Sequence, residues 1–134
     1  INSVAKSKKN YSFFIKKMTT KKFFKHNRIK FDLILIDASH QFQYVYQDIK
    51  SSIKCLNKNG IIIGDDYELD AKKNSIKNLE KIKNIDTVYD KKNKVMYHPG
   101  VTLAIKYIFK KLKSKNGLFA VKKNRGKHVD LFDK

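Results

Sequence analysis

Two stretches decide how this chain folds. Phe31-Asp32-Leu33-Ile34-Leu35-Ile36 ends in Asp37-Ala38-Ser39-His40, and Ile61-Ile62-Ile63-Gly64 ends in Asp65-Asp66-Tyr67. Each is a nearly unbroken apolar run of strand length, the pattern of strands buried on both faces of a parallel sheet. Between them Val45, Ile49, Ile53 and Leu56 recur at helical spacing and predict one apolar stripe on a helix from about Phe42 to Leu56. Asn57-Lys58-Asn59-Gly60 stops that helix, with Gly60 suited to a left-handed turn. Strand, helix and strand within ~35 residues make a βαβ unit, whose strands run parallel with a right-handed crossover.

Upstream, residues 1–30 are polar and basic. Met18-Thr19-Thr20 ahead of Phe23 and Phe24 predicts a lead-in helix capped by Thr19 or Thr20, with the phenylalanines inward. Downstream, residues 68–97 form a variable insert, rich in Lys and Asn as far as residue 94. The weak recurrence of Ile76, Leu79 and Ile82 predicts a mobile helix there. His98-Pro99-Gly100 then opens the strongest helix signal, with Pro99 at the first position and Val101, Ala104, Ile105, Ile108 and Leu112 as its buried stripe. Lys110, Lys111 and Lys113 are expected in its last turn, where cations suit the dipole. Leu118 to Phe132 reads as a β-hairpin around Gly126, which closes the 98–134 segment. The expected fold is a single α/β domain with parallel strands and an antiparallel C-terminal hairpin.

Composition narrows the function classes. At 134 residues, 41% hydrophobic and 32% charged, the chain has the balance of one soluble globular domain. No apolar run approaches the ~20 residues of a membrane helix. The single Cys55 excludes a disulfide framework and a Cys-based zinc site. It fits a reducing compartment, and with no signal peptide the expected location is cytoplasmic. Thirty-one basic residues against twelve acidic give a net charge of +19, which raises nucleic acid as a partner. Arg28 and Arg125 are the only arginines, however, and the lysines are dispersed in pairs. Lys, Ile, Asn, Phe and Tyr share AT-rich codons, so a solvated lysine surface is the favoured reading over a nucleic-acid site.

In open parallel sheets, ligands bind beyond the carboxyl ends of the strands. Asp37 stands there on the first strand, and Asp65 and Asp66 on the second. Adjacent strands lie ~4.8 Å apart, so these carboxylates are expected to converge and to need a cation. Hard oxygen ligands select Mg²⁺, Mn²⁺ or Ca²⁺. His40 hangs over the same crevice and has the ordinary pKa of a general base. The plainer alternative is that these acids are helix caps and a solvated turn. His26, His98 and His128 read as structural or surface residues, with His98 the exception to watch because it precedes a helix beside the crevice. Cys55 reads as a core or boundary residue.

The run from Phe31 to His40, the helix ending at Gly60 and the run from Ile61 to Tyr67 resemble the C-terminal half of class I S-adenosylmethionine-dependent methyltransferases. Within that superfamily the chain is similar to the macrocin-type small-molecule O-methyltransferases, whose strand-four motif reads like I-D-G-x-H. His98-Pro99-Gly100-Val101 and the closing hairpin fit the same pattern, and the resemblance runs from about Met18 to the end. It implies a Rossmann-like methyltransferase fold, S-adenosylmethionine as cofactor, and Asp37 and Ala38 at the cofactor. It further implies Mg²⁺ held by Asp37, Asp65 and Asp66, with His40 taking the proton of a small hydroxylated acceptor.

Ala38 departs from the family's usual glycine. Upstream of Phe31 there is no glycine-rich loop and no acid to hold the cofactor's ribose. With a start at Ile1, this leads to the expectation of a partial domain, and a homodimer is one way of completing the site. Two further hypotheses stand beside the enzyme: a basic nucleic-acid or anion-binding module, and a non-catalytic remnant of the fold.

Overall fold

The computed structural model describes residues 4–6, 12–70 and 75–133. Strands β1 (Val4–Lys6) and β2 (Ser12–Phe14) pair antiparallel in a two-stranded ribbon within the lead-in, where no strand was expected. Helix α1 (Thr20–His26) follows and starts as its sequence predicts, with Thr19 Oγ1 accepting the Lys22 N–H at 3.3 Å. Phe23 and Phe24 are half-buried, and Phe23 lies against Phe31 at 6.3 Å between ring centroids.

Strand β3 (Phe31–Ile36), helix α2 (Phe42–Cys55) and strand β4 (Leu56–Gly64) form the expected βαβ unit, and β3 and β4 pair in parallel. Strand β7 (Phe119–Asn124) adds antiparallel to β4, and β8 (Lys127–Asp130) to β7. The four-stranded sheet therefore has the order β3-β4-β7-β8 and closes with the predicted hairpin. Arg125 and Gly126 both take positive φ in its turn.

Helix α2 and helix α4 (Pro99–Phe109) cover one face of this sheet. Val45 and Ile49 of α2 and Val101, Ala104 and Ile105 of α4 pack with Ile62, Phe119 and Val121. Each such apolar side chain, once fully buried, contributes roughly 1.5–3 kcal/mol. The expectation that β3 is buried on both faces is corrected. Leu33 and Leu35 are 59% and 66% exposed. Alternate strand residues face opposite sides, and the helices cover only the side of Ile34 and Ile36.

Two local expectations also change. The left-handed residue after α2 is Asn59, at φ 67°, and not Gly60. Gly60 serves a close approach instead, since a Cβ there would stand 3.0 Å from the Phe31 carbonyl oxygen. Helix α4 ends at Phe109, so Lys110, Lys111 and Lys113 lie beyond it and Lys106 occupies the last turn. The break comes at Lys110, at φ 62°, and lets Leu112 fold back into the core.

The insert holds more than a helix. Residues 71–74 lie outside the described residues. Helix α3 (Ile76–Ile82) is followed by a hairpin of β5 (Val88–Asp90) and β6 (Val95–Tyr97). Leu79, Leu69 and Tyr97 meet Leu103 of α4 in a second small core, with Phe42 of α2 packed against it, which anchors the insert to these two helices. No helix among the described residues is long and apolar enough to cross a membrane.

One contact fixes how α4 meets the loop after β3. A Cβ at Gly100 would stand 2.2 Å from the His40 carbonyl oxygen, 2.5 Å from the Phe42 nitrogen and 2.7 Å from the Lys83 carbonyl oxygen. All three are backbone atoms, so no side chain can turn aside. Gly100→Ala is expected to lower stability by about 1–3 kcal/mol, read as a lower midpoint in urea unfolding. An unchanged midpoint would show that this approach is not tight in solution.

Candidate functional site

The chain leaves β3 at Asp37 and β4 at Asp65, and the Asp65 N–H donates to the Ile36 carbonyl at 3.1 Å, which ties the two strand ends together. Asp37, Ala38, His40, Asp65 and Asp66 line one crevice there, over Val45, Val101 and Phe119. Its free volume is about 10 Å³, near the least that holds one water. All five residues singled out at the strand ends thus share one place. Their side chains do not share one partner.

Asp66 takes a left-handed backbone conformation at φ 61°, which Asp tolerates better than most residues. Its N–H donates to Asp65 Oδ1 at 2.9 Å. Its carboxylate meets two histidines: Oδ2 is 2.9 Å from His40 Nε2, and Oδ1 is 3.8 Å from His98 Nδ1. His40 Nδ1 lies 2.7 Å from Asp86 Oδ1, in the loop before β5. His98, which caps α4, has Nδ1 2.9 Å from Glu68 Oε1, and its backbone N–H donates to Glu68 Oε2 at 3.3 Å. The two imidazole rings lie 4.1 Å apart between centroids.

With carboxylates at both ring nitrogens, His40 donates from both, which is the pattern of an imidazolium. Partial burial pulls its pKa down. The hydrogen bond to Asp86 and the charges of Asp66 and Asp86 outweigh that, so the pKa lies above the ordinary 6.5. The hydrogen bond from His40 likewise holds the Asp86 carboxyl below its ordinary 3.8. A raised histidine stabilises below its unfolded pKa and loses that as pH rises through its folded one. A lowered carboxyl does the reverse on the acid side. The His40–Asp86 bridge is therefore fully present between pH 3.8 and 6.5.

Donor atoms of three or more such side chains converge in two sets among the described residues: Asp66, Glu68 and His98, and His40, Asp86 and His98. Asp37 and Asp65 are exposed and enter neither. Among the described residues Asp37, Asp65 and Asp66 do not form such a convergent set, and the Asp66 carboxylate faces the histidines. Glu68 and Asp86 were not singled out from the sequence. Glu68 lies two residues after Asp66 in an acid-rich run, a signal that was available. Asp86 gives no local signal, since only the fold of the insert brings it to His40.

Beside the crevice, an open groove of about 820 Å³ runs between α1 and α2, lined by Thr19, Thr20, Ala38, Ser39, Tyr44 and Asp48 among others. Ala38 borders both spaces. Asp48 is only 7% exposed, and burial raises its pKa against the lowering effect of a hydrogen bond from Thr20.

Residues 4–67, just under half of the chain, match the family model described as a methyltransferase domain. That span holds β1 to β4 and both acid-ended strands, and it starts earlier than the resemblance read from the sequence. No curated protein and no solved structure matches the chain. The match supports a methyltransferase domain here, with its acidic strand ends inside the matched span and Glu68, Asp86 and His98 outside it.

Proposed function

We propose that this chain is part of a Rossmann-like, S-adenosylmethionine-dependent methyltransferase that methylates the hydroxyl of a small acceptor. The observation that carries the reading is His40, held between Asp66 and Asp86 at the carboxyl ends of two parallel strands, within a span matching a methyltransferase domain. The groove bordered by Ala38 has the volume of a small-molecule site. In this reading Ala38, which borders the groove, and the neighbouring Asp37 lie at the cofactor.

The chemistry is a single displacement. S-adenosylmethionine, when bound, would supply an electrophilic methyl group to the acceptor oxygen, with the carbon–sulfur electron pair leaving on sulfur. The hydroxyl proton passes to His40 Nε2, while Asp86 at Nδ1 fixes the ring and stabilises the imidazolium. Nε2 must be unprotonated and turned from Asp66 to accept that proton. Asp37 and Asp65 enter no convergent donor set with Asp66 among the described residues, so the proton transfer is assigned to His40.

Calorimetric titration with S-adenosylmethionine is expected to show binding, and no binding by a folded chain would sink the enzyme reading. His40→Ala should slow methyl transfer by about 10²–10⁴-fold with cofactor binding retained. Wild-type turnover in that variant would remove His40 as the base. The rate should rise with pH through a midpoint above 6.5, and Asp86→Asn should move that midpoint down, since it removes an acceptor that favours the protonated ring. A midpoint that stays or rises in Asp86→Asn would contradict the assignment.

A further inference from the structure

We infer that Asp66, Glu68 and His98 form a binding site for a borderline divalent cation such as Zn²⁺ or Co²⁺, distinct from an all-oxygen Mg²⁺ set. The inference concerns these side chains alone and does not depend on methyl transfer.

The atoms that face one another are Asp66 Oδ1, Glu68 Oε1 and His98 Nδ1. His98 Nδ1 lies 2.9 Å from Glu68 Oε1 and 3.8 Å from Asp66 Oδ1. All three ligand atoms lie within 4.8 Å of one another. A cation about 2.1 Å from each ligand sets neighbouring ligand atoms roughly 3.0–3.4 Å apart. The observed spacing brackets that range, so small side-chain shifts suffice to admit a cation.

The outward atoms of the same groups are already held. Asp66 Oδ2 accepts from His40 Nε2 at 2.9 Å, and Glu68 Oε2 accepts from the His98 backbone N–H at 3.3 Å. Metal sites carry this outer layer of hydrogen bonds, which orients the ligating atoms. Each carboxylate thus keeps one oxygen for its support and offers the other to a shared point. Their attachment is short, with Asp66 and Glu68 flanking the buried Tyr67 and His98 at the N-cap of α4.

The donor set decides the class of cation. One imidazole nitrogen with two carboxylates suits Zn²⁺, Co²⁺ or Mn²⁺, whereas Mg²⁺ prefers oxygen ligands and retains its waters. Three protein ligands leave a position for water or another oxygen ligand, the arrangement of catalytic and not of structural zinc sites. Asp37 and Asp65, the acids nearest to an oxygen-only alternative, lie outside the set.

The test is titration of the chelator-stripped chain with Co²⁺, followed by visible absorption, and with Zn²⁺ by calorimetry. One equivalent is expected to bind and to survive excess Mg²⁺. Glu68→Gln, which keeps the side chain's size, is expected to weaken binding at least about tenfold, and His98→Ala to do the same with an unchanged far-UV circular dichroism spectrum. Asp37→Asn should leave the affinity as it is. Absence of binding, affinity unchanged in Glu68→Gln, or an equal loss in Asp37→Asn would each overturn the assignment. Unchanged affinity would leave adventitious binding at surface histidines such as His26 or His128 as the explanation.

Discussion

The approach of Gly100 to the backbone at His40, Phe42 and Lys83 is the constraint on which the site depends. It joins three segments that the chain encodes far apart: the loop after β3, the end of α3 and the first turn of α4. The Phe42 N–H donates to the Lys83 carbonyl at 3.2 Å, so the junction is made of main chain throughout. Main-chain packing of this kind has few alternative arrangements, because no rotamer change can relieve it. The same junction brings the backbones that carry His40 and His98 together, and their rings lie 4.1 Å apart between centroids. Asp86 follows from the same junction, since it lies three residues beyond Lys83.

The βαβ unit was legible because its signals are redundant. Two apolar runs, one helical stripe and short connections agree on one topology, and the observed strands and helix fall on them. The open face of β3 was not legible. An apolar run reports that both faces are apolar, yet coverage depends on what else packs there, and Leu33 and Leu35 stay largely exposed among the described residues. The exposed edge and face of such a strand carry a known cost in specificity of association. The expected turn after α2, which is instead the start of β4, misled for a related reason. Glycine is the usual left-handed residue, but here Asn59 takes that conformation while Gly60 is needed where the chain passes Phe31.

The strand-end rule found Asp37, His40, Asp65 and Asp66 without any structure, because topology alone sends those positions to one crevice. It did not find which of them meet. Side-chain direction at Asp65 and Asp66 is set by a left-handed residue, which a doublet of aspartates does not announce. Once Asp66 is turned, its partners come from Glu68, two residues on, and from His98 and His40. The stripe on α4 was read correctly for its first turns and failed at its end, where the burial of Leu112 outweighs continuation of the helix.

A chain with 31 basic residues could have closed Asp66 and Asp86 with lysine, and it sets the His40 imidazole between them instead. The difference is chemical. A lysine ammonium stays charged across the whole physiological range, so a lysine-closed carboxylate cluster stays closed to other cations. An imidazole that loses its proton stops neutralising and becomes a donor of electron pairs, to a proton or to a metal. Carboxylates closed by histidine therefore offer their oxygens conditionally.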